Sequence, residues 1–330
     1  MHKDLLNENS LLVKVAGGAT SQCLALMNAI YVKNRTGRDF KIKYFPFSTG
    51  TYWPFEIDFL LEKNEKIQEI GSTKGFDSKL NQVTVGKIIN NHPLQSRWLN
   101  YEKILVLIRK VKLESIMFRL RGEVLIMASK KNLDRAGVKT KAISGGYAAL
   151  SDKNVCGEMD ARFKRANLNS PFSKEFNGDF SPRVVIHLRI GDKRDTFTNP
   201  LVGRDGITDP AVFVEILSKL KAADYREIFV VSDEPIAAQK LLAQVGIVAK
   251  LNPKSKNIWD DVFFMSQASI FIGSWSQVSQ LAALCVLNNG GVAYCPDSNQ
   301  VGDKSVWHID GVHYYRPRFL GKENKIYSTE

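Results

Sequence analysis

From residue 184 onward the chain switches repeatedly between strand-like and helix-like segments. VVIHLRI (184–190), EIFVVSD (227–233), SIFIGS (269–274) and GVAYCP (291–296) are short apolar runs. Between and after the first of them, DPAVFVEILSKLKAA (209–223), EPIAAQKLLAQVG (234–246), IWDDVFFMSQA (258–268) and QVSQLAALCVLN (277–288) carry apolar residues at helical spacing. Strands separated by helices cannot close as hairpins. They pair in parallel, with helices covering both faces of the sheet. Asp209 reads as an N-cap with Pro210 at the first helical position, and Gly246 as a helix stop.

The N-terminal end repeats this logic. LLVKVAGGATSQC (11–23) reads as a strand, a Gly-Gly turn and the start of a helix that runs to Gly37, and FKIKYFPF (40–47) as a second strand. That order opens a doubly wound sheet. The middle, 50–150, holds aromatic loops, helical patterns and one strand-like run, GEVLIMAS (122–129). The segment 164–183, KRANLNSPFSKEFNGDFSPR, is rich in Asn, Ser, Gly and Pro and reads as a linker. The 330 residues, 44% of them hydrophobic, are enough for two cores. The expectation is an α/β protein of two Rossmann-like domains, 1–175 and 176–330, facing a cleft.

Several classes are disfavoured. MHKDLLNENS lacks the apolar core of a signal peptide, and no run approaches the length of a membrane span. The four cysteines show no CxxC or Cys/His spacing, so no zinc site is expected, and Cys285 and Cys295 read as core residues. A reducing cytoplasm is the expected compartment. The net charge of +12 favours anionic partners. Within 109–141, ten Lys/Arg face three acids. Ile104, Leu107, Ile108 and Val111 precede and enter it at helical spacing, so the segment is either a solvated basic helix face or a dock for an anionic membrane or glycolipid.

Polar residues recur where ligands bind a parallel sheet, beyond the carboxyl ends of its strands. One strand ends in HLRIGD, the next in Ser232-Asp233, a third in GSWSQVS. Arg189 carries a permanent charge and a forked donor set suited to phosphate oxygens. Ser274, Ser276 and Ser279 stand at a helix start, where hydroxyls and unpaired N–H groups hold anions. Asp233 offers acceptors to a sugar hydroxyl or a base edge, and Asp192 could orient Arg189 or take a proton. Taken singly, His187 also reads as a core histidine, Arg189 as an ion-pair partner of Asp192, and the serines as helix caps. GGATSQ is neither a full GxGxxG nor a P-loop, and no Asp-x-Asp metal motif stands at a strand end.

HLRIGD resembles the HxRRGD motif of the fucosyltransferase superfamily, and the chain is collinear with the bacterial α-1,2-fucosyltransferases of glycosyltransferase family 11. GGATSQ resembles that family's GGLGNQ turn, YWPFEIDFL (52–60) its FELDIF segment and, weakly, GGYAALSDK (145–153) its GY-containing segment. FVVSDEP (229–235) resembles its FSDD motif, and 260–283 its long segment ending in NSTFSWWxA. Ile190 stands where the second motif Arg would be, as in the HLRIG form of protein O-fucosyltransferases. Thr20-Ser21 replaces Gly-Asn and Gln280-Leu281 the Trp pair.

The resemblance implies the GT-B fold and inverting, metal-independent transfer to a glycan or glycolipid hydroxyl, with no cofactor and no nucleic-acid partner. The donor implied is GDP-fucose, a related GDP-linked deoxy sugar remaining open, and the setting bacterial surface polysaccharide synthesis. Arg189 and His187 would lie against the donor, with Ser232, Asp233, Asp261, Ser274, Ser276 and Ser279 lining its site. Gly17, Gly18, Ser21 and Gln22 would close it. Asp192 is the leading candidate for general base, with Asp195 beside it and Glu56 and Asp58 on the acceptor side. A non-catalytic nucleotide-sugar binder and a basic nucleic-acid or phosphate binder are the alternatives.

Overall fold

The computed structural model describes residues 10–45, 47–48, 51–52, 54–66, 124–127, 133–136, 140–144, 151–174, 183–193, 206–220, 227–252, 255–297, 309–320 and 326–328. In the first half, β1 (Leu11–Ala16), α1 (Ala19–Thr36) and β2 (Phe40–Phe45) follow in order. A short hairpin, β3 (Phe47–Ser48) and β4 (Thr51–Tyr52), precedes β5 (Val124–Met127) and β6 (Thr140–Ser144). Strands β2-β1-β6-β5 form a parallel sheet. Helix α1 ends at Gly37 in the left-handed conformation, whose N–H bonds Lys33 O at 2.8 Å. Nearly the whole of α1 is buried, including Thr20, Ser21, Gln22 and Asn28, as befits a helix packed on several sides.

Helix α2 (Lys153–Arg165) leads to the second half, capped by Asp152, whose carboxylate accepts from the N–H of Asn154 and Val155. Then come β7 (Arg183–His187), α3 (Ala211–Leu217), β8 (Glu227–Val231), α4 (Pro235–Gln244) and β9 (Lys250–Leu251). They continue through α5 (Ile258–Ser266), β10 (Ile270–Gly273), α6 (Gln277–Asn288), β11 (Val292–Pro296), β12 (His313–Tyr315) and a terminal pair, β13 (Arg318–Leu320) and β14 (Ile326–Ser328). The six-stranded sheet has the order β12-β11-β10-β7-β8-β9, parallel throughout. Counting from β7, that is the doubly wound order 6-5-4-1-2-3, which reverses direction between β7 and β10. The α/β expectation with parallel sheets holds.

Three expectations need correction. The strand expected over 184–190 pairs only to His187, because its neighbours β8 and β10 end level with it at Val231 and Gly273. The helix expected over 209–223 stops at Leu217 and tightens into i→i+3 turns through Leu220. The cap position falls on Pro210 rather than Asp209, which stands one residue earlier and accepts from Ala211 N at 2.9 Å. The expected linker is not a free connection over its described part. Phe172 is buried in the core, and Asn288, Asn289 and Gln267 donate to the carbonyls of Phe172, Pro171 and Ser173. Residues 175–182 of that segment lie outside the described residues, as does most of the basic stretch 109–141. All four cysteines are free and buried. Among the described residues no helix is long and apolar enough to cross a membrane.

One apolar cluster runs through both halves, from Cys23, Met27 and Ile30 of α1 to Leu281, Leu284 and Cys285 of α6. Helix α1 packs directly on α6. The second sheet's other face packs separately against α3 and α4, through Phe213, Ile216, Ala238 and Leu242.

Candidate active site at a sheet switch point

The reversal between β7 and β10 leaves a gap at their carboxyl ends, because the connections leave in opposite directions. The polar residues expected to act together meet there. Past the end of β7, Arg189 N–H donates to Ser274 Oγ at 2.9 Å, and Ser274 N–H donates to His187 O at 2.9 Å. The two strand ends are thus tied across the gap by one serine. His187 Nδ1 lies 2.6 Å from Ser279 Oγ in the first turn of α6. That approach needs Gly273, since an added Cβ would stand 2.7 Å from Ser279 Cβ. Tyr315 of β12 adds its hydroxyl, donating to Gly273 O at 2.6 Å.

Asp233, just past β8, closes the other side. Its oxygens accept from Ile190 N and Gly191 N, each at 3.0 Å, and Arg189 Nε lies 3.4 Å away. Gly191 is required beside it, as a Cβ there would meet Asp233 Oδ2 at 2.6 Å. Asp233 therefore shapes the turn that carries Arg189, and the carboxylate keeps lone pairs for a ligand. Ser232 Oγ accepts from Glu234 N at 3.1 Å. Asp192 lies in a single 3-10 turn, Gly191–Lys193, next along the chain. Asp195 lies outside the described residues.

The first half contributes a second helix N-terminus. Helix α1 starts at Gly18 with no side-chain cap, and the Ser21 hydroxyl donates to Gln277 Oε1 at the start of α6. Ser276 caps α6, accepting from Val278 N at 3.2 Å. Two helix starts are therefore joined by one hydrogen bond, so the partial positive charges of both helix N-termini meet just after the β10 end that Ser274 ties to Arg189 N. Gln22 acts indirectly. Fully buried, it donates to Gly17 O and Pro54 O, both at 2.7 Å, and accepts from Glu56 N at 2.9 Å. Its amide ties the Gly17 turn to the 54–56 segment.

The remaining candidates lie further out. Asp261, in the first turn of α5, accepts from Asn252 Nδ2 at 2.8 Å past the end of β9, and burial raises its pKa. It occupies the same carboxyl edge, two strands from β7. Glu56 is half-buried beside Gln22. Asp58 is exposed and pairs with Lys66 at 2.7 Å. Among the described residues, no three His, Cys, Asp or Glu side chains are grouped to hold a metal.

Electrostatics fix the state of His187. Burial first, and then the Arg189 cation, pull its pKa down to about 3, with Asp233 acting the other way. The ring is neutral at any working pH and serves to position Ser279. In the unfolded chain it protonates near 6.5, so between 6.5 and about 3 the unfolded state binds the extra proton. The stability contributed is complete above 6.5 and is lost as pH falls through that window. Moving from pH 7 to pH 5 should therefore cost about 2 kcal/mol more in the wild type than in His187→Gln. Urea unfolding at the two pH values measures it, and equal pH dependence in both proteins would refute the assignment.

Thr208, Tyr315, Gln277 and Gln280 also border this edge, and none was expected from sequence. Thr208 Oγ1 accepts from Trp275 N at 3.3 Å. A Gln beginning a helix after a capping Ser was the only local signal for Gln277.

No protein-family model and no curated protein matches the chain. Among solved structures it is similar to the α-1,6-fucosyltransferase NodZ soaked with GDP-fucose, at 12% identity and TM-score 0.34 over 84% of this chain and 92% of that one. It is also similar to POFUT1 in complex with GDP-fucose, at 12% identity and TM-score 0.37 over 94% and 98%. A putative UDP-N-acetylglucosamine 2-epimerase from Listeria monocytogenes gives 10% identity and TM-score 0.32 over 87% and 79%. Similarity of this degree leaves the chemistry to the residues themselves.

Proposed function

We propose that the protein is an inverting glycosyltransferase of GT-B type that moves fucose, or a related deoxy sugar, from a GDP-sugar to a glycan hydroxyl. One observation carries the reading. Arg189 stands at the switch point of a doubly wound sheet, beside two helix N-termini joined through Ser21 and Gln277. That constellation suits a diphosphate, and the HLRIGD resemblance supplies the sugar and the base. The α-1,2 linkage and a place in bacterial surface polysaccharide synthesis follow from the resemblance alone. Contact with an anionic membrane would fall to the basic segment 109–141.

In the reaction the acceptor oxygen attacks the anomeric carbon from the face opposite GDP, and the bond to the β-phosphate oxygen breaks. Negative charge grows on the departing diphosphate. Arg189 and the N-termini of α1 and α6 are in place before that charge appears, so little reorganisation is needed at the barrier. The acceptor proton goes to a carboxylate. Asp192 is our assignment, ahead of Asp195, Glu56 and Asp58, because it follows Arg189 by three residues. The proposed reaction calls for no resident metal.

A nucleotide melting screen tests the reading. At a hundredfold excess over Kd, GDP should stabilise the protein by about 2.7 kcal/mol. UDP, ADP and CMP should do clearly less, and the GDP shift should persist in chelator. Steep salt-dependent affinity for oligonucleotides without nucleotide selectivity would instead favour the nucleic-acid binder. Selective GDP binding with no turnover of any GDP-sugar on a panel of glycan acceptors would favour the non-catalytic binder.

A further inference from the structure

A small recess of about 10 Å³ opens beyond the carboxyl ends of β10 and β11, bordered by Ser274, Ser276, Ser279, Gln280, Cys295 and Tyr314. It has room for one group the size of a water or hydroxyl. The polar atoms around it are accounted for, with one exception. Ser274 accepts from Arg189 N, Ser279 meets His187, and Ser276 caps α6. Gln280, only 4% exposed, has no partner among the described residues for either its carbonyl oxygen or its nitrogen. A buried amide left in this state destabilises the fold by more than an ordinary hydrogen bond returns. Gln280 also stands where the resembling motif carries an aromatic residue, so the polarity belongs to this chain.

The chemistry of an amide narrows what it takes. Its nitrogen needs an acceptor and its oxygen needs a donor. A phosphate oxygen meets the first need and opposes the second. A hydroxyl meets both. We infer that Gln280 and this recess receive a sugar hydroxyl of the bound nucleotide sugar, contributed by the ribose or by the transferred sugar. The inference rests on the nucleotide-sugar reading above. It adds a specificity-determining residue one turn along the helix whose N-terminus would face the diphosphate.

Gln280→Met keeps the shape of the side chain and removes both polar atoms; Gln280→Leu serves as a second apolar variant. Titration calorimetry of the full chain with pyrophosphate, GDP, 2′,3′-dideoxy-GDP and GDP-fucose reads the effect. The expected result is a loss of about tenfold in affinity for a hydroxyl-bearing ligand, with pyrophosphate changed less than twofold. A loss confined to GDP-fucose identifies the transferred sugar. A loss with GDP and GDP-fucose, absent with dideoxy-GDP, identifies the ribose. Equal loss across all ligands including pyrophosphate, a loss that persists with dideoxy-GDP, or no loss at all overturns the inference. Wild-type protein that binds none of the four overturns the nucleotide-sugar reading and this inference with it. Binding by the wild type with no discrimination by the variants overturns this inference alone. The ligand-free variants should also melt about 2 °C higher, because the orphaned amide is gone. A lower melting temperature would mean that the fold itself satisfies Gln280, which overturns the inference as well.

Discussion

Arg189→Ala should reduce transfer by about a thousandfold while leaving the fold intact. The two halves of that expectation have separate grounds. For activity, the guanidinium follows β7 at the switch point, and in the proposed reaction it would face the charge that grows on the leaving diphosphate. A single preorganised donor is worth about a hundred- to a thousandfold, and a charged forked donor lies at the upper end. For the fold, the side chain is 27% exposed and its contact with Asp233 is 3.4 Å. Pairs of that kind contribute about 0–1 kcal/mol. Asp233 keeps its two backbone partners, Ile190 N and Gly191 N, when the arginine is gone. Turnover with GDP-fucose, paired with a melting curve, separates the two. Arg189→Lys should fall between wild type and alanine, since it restores charge without the fork. Near-normal turnover in the alanine variant would remove Arg189 from the chemistry.

What could be read from sequence follows a physical division. The alternation of strands and helices in the second half, and hence its parallel sheet, is legible because each element there carries its own period and its own punctuation. The polar strand ends were legible for the same reason: HLRIGD, Ser232-Asp233 and GSWSQVS interrupt apolar runs, and parallel pairing brings β10, β7 and β8 side by side. The contacts that complete the site were not legible. Ser21 meets Gln277 across 256 positions, and Tyr315 reaches Gly273 across 42. Neither has a periodic signature, since tertiary packing alone brings the groups together. Phe172 was hidden by its Asn- and Ser-rich surroundings, which resemble a linker in composition while its ring fills the core. Strand β12 was missed because HYY is too short to show alternation.

The largest stability loss is expected at Arg162. Its guanidinium is fully buried, donating to Glu65 at 2.6 and 2.7 Å, to Glu158 at 2.6 Å and to Leu60 O at 2.8 Å. Glu65 is 2% exposed, and its backbone N–H bonds Glu62 O while its carbonyl takes Ile42 N at the edge of β2. Arg162 therefore fastens the segment carrying Glu56 and Asp58 to helix α2. Arg162→Met should cost about 3–5 kcal/mol, because it strands a buried carboxylate without a counter-charge. Replacing the carboxylate too, as Arg162→Met with Glu65→Leu, should recover much of that loss, since the Glu65 charge is then no longer buried without a partner. Urea unfolding of the wild type, both single variants and the double variant gives the coupling directly. Additive losses would mean that the pair does not act as a unit. If the 54–66 segment presents the acceptor, GDP affinity should hold in Arg162→Met while KM for the acceptor rises, and the reverse split would place that segment against the donor.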